Sequence, residues 1–412
     1  MHISLDSALG RQRRLNSVGE SVLQIAPNAA AAYSLRSLTG GDPSVVRVRR
    51  SSNNAEQDFT AADISSGALT SFVNEIQTLG TVTNSVGNDG FTLTNKSSTG
   101  FTATTDTATG VCGWPYTAKA GDKITVSFDA VIRSGTPQFI PRRATALSGS
   151  NLIDVVSDSA ISVNSTASYS FEFTYDSDEA GSLTFSEGDD NADFDINNFQ
   201  VTSFKGAGFV ETWYDQSGNS NHAVQETAGS QPKIVNAGAL LADGIDFDGS
   251  DDILVAASVS GFGATVSLFE ASIRDGGAAA VVSMGSSAAT TNTNFGLVEA
   301  GSNTQASVRN TTSRTVNASV SGETRLGFAV TTGQTSTKVG ALGGTLVETT
   351  DDYGDDFTSG ELDTIFLGKI RGGSSTEFNG HIREALVYNT DQSANRDAVE
   401  ANIANHYNIT LV

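Results

Sequence analysis

Strict alternation of apolar and polar residues is the feature that most limits what this chain can fold into. In the segment KITVSFDAVI, residues 123–132, every second side chain is apolar: Ile124, Val126, Phe128, Ala130 and Ile132. Because successive side chains of a strand point to opposite faces, this pattern predicts a strand buried on one side. Similar alternation at 169–175 and 326–330, together with 42 Gly and only 6 Pro, favours an all-β protein of short strands and tight turns.

Two segments depart from this simple alternation in informative ways. In FDINNFQVTSF, residues 194–204, the phase slips between Ile196 and Phe199. An extra residue in a strand moves all later side chains to the other face, so the slip predicts a β-bulge. Near the C-terminus the period changes, since Val399, Ile403 and Tyr407 are four positions apart. That spacing predicts a terminal helix with one apolar stripe that packs on a sheet.

The charge balance is strongly acidic, with 24 Lys plus Arg against 46 Asp plus Glu and a net charge of −22. Such a surface repels phosphate backbones and anionic lipids, so we expect no nucleic-acid partner. No segment reads as a signal peptide or a membrane span, and we expect no membrane insertion. Cys112 is the only cysteine, which excludes an intrachain disulfide and a cysteine-based zinc site.

Two blocks of sequence carry a family resemblance: AYSLRSLTGGDPSVVRVRRSSNNAEQDFTAADI at 32–64 and FVETWYDQSGNSNHAVQETAGSQPKIV at 209–235. Together they resemble the concanavalin A-like lectin/glucanase (LamG-like) module of α-L-arabinofuranosidase B-like proteins and of many phage fibre and decoration proteins. In that family the blocks follow each other almost directly, whereas a domain's length separates them here. The resemblance implies a concanavalin A-like β-sandwich formed by 29–68 and 207–412, interrupted by an insert at 69–206.

The insert resembles jelly-roll carbohydrate-binding modules in its strand order, AGDKITVSF, YSFEFT, GSLTFS and FDINNFQV. The resemblance implies a jelly-roll β-sandwich. Trp114 and Tyr116 precede the first of these strands, where exposed aromatic rings can stack on sugars, and Arg142 and Arg143 can contact acidic polysaccharide. The alternative interpretation places Trp114 in the core and gives the arginines a role in local charge balance.

The block WYDQSGNSNHA is the best placed for chemistry. Trp213 and Tyr214 offer flat apolar surfaces, and hydrogen-bonding side chains follow at Asp215, Asn219 and His222. A glycan site uses both kinds of group. Alternatively, Asp215 and His222 brace the turn while Trp213 fills the core. We favour this scaffold interpretation, because the same block occurs in proteins with different roles.

An acidic segment, SEGDDNADFD, is a weak calcium candidate, because jelly-roll binding modules often hold a structural calcium ion. Its carboxylates include Asp189, Asp190 and Asp193. The spacing matches no EF-hand loop. We therefore expect no metal and no other cofactor, with calcium as the alternative.

Residues 1–28 form a separate N-terminal arm in which Leu15, Val18 and Val22 recur at helical spacing, and Pro27 marks its end. The arm is too short to fold alone, so its apolar stripe needs a partner surface. We expect these three residues to anchor the chain to another virion protein or to a sister copy, with packing on the chain's own sandwich as the alternative.

The resemblance implies a structural phage virion protein, part of a head or tail fibre or decoration, that contacts host cell-surface glycans. Weak sugar sites act together in an oligomer, and similarity to fibres implies a homotrimer. Such a protein is made in the host cytoplasm and released by lysis. One alternative is a purely architectural subunit without a ligand. The other is an arabinofuranosidase-like glycoside hydrolase, but its two catalytic carboxylates cannot be identified here, so we expect no enzyme activity.

Overall fold

The computed structural model describes residues 20–51, 54–74, 79–84, 91–104, 110–118, 123–142, 161–174, 179–187, 191–203, 206–287, 293–370 and 377–412. Antiparallel strands dominate these ranges. The strands are β1 (Ala31–Ser34), β2 (Ser44–Arg50), β3 (Glu56–Thr60), β4 (Thr83–Asn84), β5 (Thr92–Thr94), β6 (Phe101–Thr104), β7 (Gly110–Ala118), β8 (Lys123–Ser134), β9 (Gln138–Arg142), β10 (Ile161–Ser162), β11 (Ala167–Thr174), β12 (Glu179–Glu187), β13 (Asp193–Ser203), β14 (Gly208–Trp213), β15 (Ala223–Val224), β16 (Lys233–Asn236), β17 (Ala239–Leu240), β18 (Ile245–Asp248), β19 (Leu254–Ala257), β20 (Thr265–Gly276), β21 (Ala278–Gly285), β22 (Asn294–Ala300), β23 (Asn303–Arg309), β24 (Ser313–Ser319), β25 (Thr324–Thr332), β26 (Thr337–Ala341), β27 (Val347–Thr349), β28 (Thr364–Leu367) and β29 (Asn379–Tyr388). The helices are α1 (Val22–Ile25), α2 (Ala61–Ser65), α3 (Ala68–Val73) and α4 (Arg396–Tyr407), with a 3-10 turn at Ala228–Ser230.

The chain divides into two compact units. The outer unit contains the described residues up to Thr70 together with Ala207–Asn236 and Leu240–Val412, and the inserted unit contains Ser71–Gly206 and Ala237–Ala239. The predicted fold class, an outer β-sandwich interrupted by an inserted β-sandwich and closed by a C-terminal helix, is confirmed.

In the outer unit, antiparallel pairing links the strands into two facing layers. Strand β29 pairs with β1, β18 and β20. Strand β20 also pairs with β25, β25 pairs with β26, and β26 pairs with β27. This layer packs on the layer formed by β28, β21, β22, β23 and β24. Strand β2 pairs with both β3 and β14, placing Val46 opposite Trp213. The two sequence blocks that carry the family resemblance are therefore hydrogen-bonded neighbours.

Helices α1 and α4 cover one face of the outer unit. Val399 and Ile403 of α4 are fully buried in a cluster with Phe269 of β20 and Phe328 of β25, and Tyr407 packs beside them. The predicted apolar stripe of the terminal helix is confirmed. None of the helices in the described part of the chain has the length and apolar character needed to span a membrane.

The position of Val22 corrects the prediction for the N-terminal arm. Val22 lies in α1, which packs on α4, and its side chain is fully buried in the same cluster. The amide Nδ2 of Asn402 also donates to the carbonyl oxygen of Glu20 at 2.8 Å. Val22 therefore packs on its own chain and has no surface left for a partner. The other two predicted anchors, Leu15 and Val18, lie outside the described residues.

The inserted unit consists of two five-stranded antiparallel sheets, β10-β9-β12-β7-β4 and β11-β8-β13-β6-β5. The apolar face predicted for β8 lies between them, where the ring of Phe128 is 5.6 Å from that of Phe139 and 5.0 Å from that of Phe185. Aromatic rings at such distances contribute beyond the area that they bury. This aromatic cluster is the core of the inserted sandwich.

The predicted bulge in β13 is confirmed. The register of β13 against β8 shifts between Asn197 and Gln200, and Asn198 adopts a φ of +52°. Asparagine tolerates this left-handed conformation better than most residues. The bulge turns Phe199 inward, where its ring stacks on Trp114.

Candidate functional site

The turn after β14 is built around the carboxylate of Asp215, which is 8% exposed. It accepts four hydrogen bonds: Oδ1 from the backbone N–H groups of Ala32 and Ser217, each at 2.8 Å, and Oδ2 from the Asn221 N–H at 3.0 Å and the Ser217 hydroxyl at 2.8 Å. The carboxylate is thus saturated by its own chain. It ties the second sequence block to the first.

Two neighbours of Asp215 extend this brace. The amide Nε2 of Gln216 donates to the carbonyl oxygens of Ser34 and Arg36 at 3.0 and 2.9 Å, while its Oε1 accepts from the Leu38 N–H at 2.8 Å. Asn219 donates from Nδ2 to the Ala29 carbonyl at 2.8 Å. These bonds satisfy backbone groups at both ends of β1 and in the turn that follows it.

The ring side chains of the block, Trp213, Tyr214 and His222, also have partners within the protein. Trp213 is fully buried, with its ring 5.9 Å from that of Tyr33. The Tyr214 hydroxyl donates to Asp58 at 2.8 Å, and the Nδ1 atom of His222 accepts from the Asp215 N–H at 3.1 Å. The geometry agrees with the scaffold interpretation. The glycan-binding alternative is wrong for Trp213 and Asp215, because neither side chain has a surface to offer.

The candidate sugar-binding residues of the inserted unit need a similar correction. Trp114 is fully buried, and its ring stacks on Phe199 at 3.9 Å with 15° between the planes. Tyr116 is 7% exposed and belongs to the same core. Arg142 is the last residue of β9, opposite Ser182. The side chain of Arg142 and all of Arg143 lie outside the described residues.

The alternative of a calcium ion at the acidic segment can be compared with the contacts of Asp193. Asp189 and Asp190 lie outside the described residues, and Asp193 pairs with Arg133 at 2.6 Å. The same guanidinium holds Asp195 at 2.7 Å, and its hydrogen bonds lower the pKa of that carboxyl. The guanidinium of Arg133 therefore takes the place that a cation would occupy beside Asp193.

A different acidic turn was not singled out from the sequence. Asp248, Asp251 and Asp252 bring carboxylate oxygens within 4.8 Å of one another at the end of β18. Burial raises the pKa of Asp252 to about 6. Each carboxylate already accepts a local hydrogen bond: Asp248 from Ser250, Asp251 from Ser230, and Asp252 from the Asp248 N–H. The cluster is accounted for as a braced turn, and we assign no metal to it.

A cavity of about 280 Å³ lies in the outer unit beside the C-terminal end of α4. Its walls come from the turn after β1, helix α2, residues 240–244, strand β29 and the end of α4. The lining residues are Leu35, Arg36, Ala61, Ile64, Ser65, Leu240, Leu241, Ala242, Gly244, Arg383, His406 and Tyr407. Most of the wall is apolar, and the polar groups are concentrated on one side.

Arg36 is one of the two arginines in the cavity wall. Its Nε and Nη2 atoms donate to the two carboxylate oxygens of Glu384 at 2.8 and 2.9 Å. Glu384 is fully buried, so this two-point pair holds the guanidinium in one orientation. The Tyr407 hydroxyl donates to the Arg383 carbonyl at 3.1 Å and also lies 3.1 Å from the Ser34 hydroxyl.

Arg383 is the second arginine in the cavity wall. Its Nε and Nη2 atoms donate to the backbone oxygen and the carboxylate of Asp243 at 3.1 and 2.8 Å. The guanidinium carbons of Arg36 and Arg383 lie 5.8 and 5.5 Å from the centre of the Tyr407 ring, within cation–π range. Among the described residues, the Nη1 atom of neither arginine has a hydrogen-bond partner.

Burial and the charge of Arg36 lower the pKa of His406. The imidazole is therefore neutral at neutral pH and can donate one hydrogen bond and accept another. Together, the cavity offers an apolar wall, two guanidinium edges and a neutral imidazole. This set suits a small ligand with one apolar face and hydroxyl or carboxylate groups on the other.

Comparisons with known proteins leave the family open. No protein-family model matches the chain, and no curated protein matches it. Among solved structures, the chain is similar to the CBM40 domain of the Ruminococcus gnavus IT-sialidase bound to alpha2,3 sialyllactose, at 18% identity over 33% of this chain and 82% of that chain, with a TM-score of 0.29. It is also similar to Trypanosoma rangeli sialidase in complex with 2,3-difluoro-KDN, at 11% identity over 68% of this chain and 54% of that chain, with a TM-score of 0.36. At these TM-scores neither similarity supports an argument about function.

Proposed function

We propose that this protein is a structural phage virion subunit that binds an acidic host-surface glycan in the cavity of its outer unit. The observation that carries the glycan part is the pair of arginines at the Tyr407 ring. Each is held in place by a carboxylate, and its Nη1 atom has no hydrogen-bond partner among the residues that the structure describes.

An acidic sugar suits this cavity for two reasons. The C–H face of a sugar ring can pack on Leu240, Leu241 and Ile64, while its carboxylate meets the guanidinium edges of Arg36 and Arg383. The chain as a whole carries a net charge of −22 and repels anions at long range. Binding therefore depends on short-range contacts, and we expect weak affinity for each single site.

The virion part of the proposal is supported by the sequence resemblance of the blocks at 32–64 and 209–235. Weak single sites gain strength when several are tethered, by about a hundredfold or more in favourable geometry. An oligomer, with a trimer as the first expectation, gives that tethering. Virion localisation and release by lysis belong to the same proposal.

The cavity suits glycan binding and does not suit hydrolysis of a glycan. Glycoside hydrolysis needs two carboxyl groups placed on either side of the scissile bond. The described residues that line the cavity include no Asp or Glu. The arabinofuranosidase-like alternative therefore has no support at this site.

The architectural alternative is favoured by one specific observation: the polar side chains of the Asp215 turn bond to their own chain. If the cavity also binds no ligand, the only role of the subunit is structural. A glycan array separates these functions.

The test uses the purified full chain on an array of neutral and acidic oligosaccharides. We expect the wild type to bind a subset of acidic glycans, and Arg383→Gln to lose at least about tenfold in apparent affinity, since one charge-assisted hydrogen bond contributes on the order of 1.4 kcal/mol or more. Arg133→Gln is the matched control, because it also removes an arginine paired with carboxylates but lies in the inserted unit. Silence of the wild type on every glycan would favour the architectural subunit.

A further inference from the structure

The interior of the outer sandwich contains an unusual charged cluster. Glu270 on β20 and Glu299 on β22 are fully buried, and so is Arg325 on β25. Glu270 points away from its neighbours Phe269 and Ala271, which face helix α4. It therefore lies between the two layers of the sandwich, where charged groups are rarely left unpaired.

Among the described residues, Arg325 forms an ion pair with only one of the two carboxylates. The Nε atom of Arg325 lies 2.6 Å from Oε2 of Glu299. Its Nη2 atom donates to the Gly301 carbonyl at 2.9 Å, and its Nη1 atom donates to the Gly322 carbonyl. Apart from the Arg325–Glu299 ion pair, none of the four carboxylate oxygens of Glu270 and Glu299 has a well-formed hydrogen bond to a described group.

The polar groups around the pair are few. Ser272 on β20 and the backbone of Gly327 on β25 face Glu270, and Thr304 on β23 faces Glu299. A Cβ atom built at Gly327 would lie 2.8 Å from Oε1 of Glu270, so the glycine makes room for the carboxyl group. Among the described residues, Arg325 is the cation that acts on both glutamates. Arg274 donates to the same Gly301 carbonyl at 3.2 Å, but its Nη1 atom bonds to the exposed turn at Gly277.

The charges of Glu270, Glu299 and Arg325 do not balance when all three groups are ionised. Two carboxylates and one guanidinium leave one uncompensated negative charge in a buried place, and an unpaired buried charge is strongly destabilising. Burial is the main cause that raises the pKa of Glu270 and that of Glu299, and the charge of Glu270 raises the pKa of Glu299 further.

We propose that the folded protein holds one shared proton between Glu270 and Glu299 at neutral pH, and that loss of this proton in alkaline solution destabilises the outer sandwich. The two carboxyl groups hold this proton as a pair, and Arg325 forms its ion pair with Glu299. The cluster is then electrically neutral. The inference does not depend on the glycan-binding proposal.

The sign of the pH effect follows from linkage. The folded state keeps a proton that the unfolded chain releases near the ordinary glutamate value of 4.5. Above that value the folded state binds more protons than the unfolded state, so stability falls as pH rises, until the pair is deprotonated in both states.

The test compares the full chain with Glu270→Gln, because glutamine has the shape of the protonated acid but cannot release a proton. Urea unfolding is followed by Trp213 fluorescence in a Trp114→Phe background, which leaves one tryptophan, in the outer unit. We expect the unfolding midpoint of the parent to drop between about pH 6 and pH 9, and that of Glu270→Gln to drop by less than half as much. Glu323→Gln, exposed in the same unit, is the matched control and should keep the parent's slope.

A second measurement needs no unfolding. Infrared difference spectra between neutral and alkaline pH should show a carboxylic-acid carbonyl band in the parent at neutral pH that is absent from Glu270→Gln. Equal midpoint slopes in the parent and Glu270→Gln, or no acid band at neutral pH, would overturn the proposal. So would a midpoint that follows sodium or potassium concentration and not pH, because a bound cation would then balance the pair.

Discussion

The carboxylate of Asp215 accepts a hydrogen bond from the backbone N–H of Ala32 at 2.8 Å, across a sequence separation of 183 residues. The inserted unit lies between these two positions in the chain. The side chain of Asp215 therefore helps to join the two halves of the outer sandwich, together with Gln216 and Asn219. The polarity of this turn is explained by closure of the fold, without a ligand.

Replacing Asp215 with alanine tests that role. The change removes four hydrogen bonds and leaves the buried N–H of Ala32 and the partly buried N–H of Asn221 unpaired, so we expect a loss of about 2 to 4 kcal/mol in the free energy of unfolding. Urea denaturation measures it, with Asp351→Ala on an exposed loop as the control. Glycan binding by the folded fraction should not change; a stable Asp215→Ala protein that no longer binds glycan would point back to a sugar site.

The inserted unit should depend on Trp114 for stability and not for recognition. Because the ring is fully buried and stacked on Phe199, Trp114→Ala should destabilise the inserted unit by about 3 to 5 kcal/mol, and Trp114→Phe by much less. Thermal unfolding of both variants gives the comparison. An alanine variant with near-normal stability and reduced glycan binding would show that Trp114 is a recognition residue after all.

Packing of Val22 on its own chain, and not on a sister copy, can be checked directly. Val22 is fully buried against α4, so Val22→Ala should cost about 1 to 3 kcal/mol of stability while leaving the oligomeric state unchanged. Sedimentation velocity and urea unfolding on the same samples separate the two effects. Dissociation of an oligomer without loss of stability is the opposite outcome, and it would restore Val22 as an intersubunit contact.

The buried Asp252 predicts a second pH effect, at lower pH than that of the glutamate pair. Burial raises its pKa from 3.8 to about 6, so the folded state holds a proton in this window that the unfolded chain releases. Stability should therefore fall as pH rises from about 4 to 6, and Asp252→Asn should flatten this part of the curve. Thermal midpoints across that range give the result, with Asp351→Asn as the control. An unchanged slope in Asp252→Asn would mean that the side chain is ionised throughout.

Local pattern was enough to predict much of the fold. Alternation at Phe128 and its neighbours gave a strand buried on one side, the phase slip before Phe199 gave the bulge, and the spacing of Val399 and Ile403 gave the terminal helix. These features depend on residues close together in sequence.

The cavity and the buried charged cluster of Glu270, Glu299 and Arg325 could not be predicted from local sequence pattern. Arg36, Leu241 and Tyr407 come from three distant segments, so no spacing reveals that they line one cavity. The aromatic residues of WYDQSGNSNHA and GWPY looked suitable for sugars because residue type alone does not tell a buried ring from an exposed one. Glu270 and Glu299 similarly resemble ordinary surface glutamates until strand pairing places both inside the sandwich.

Leucine methyl NMR tests the central claim most directly, because Leu35, Leu240 and Leu241 line the cavity while Leu183 lies in the core of the inserted unit. The full chain, labelled at leucine methyl groups, is titrated with an acidic oligosaccharide selected on the array. The account predicts that the signals of Leu35, Leu240 and Leu241 move in a saturable way while that of Leu183 stays in place, and that Arg383→Gln abolishes the movement. Saturable binding that leaves all three cavity signals unmoved, or that moves only signals of the inserted unit, would contradict it.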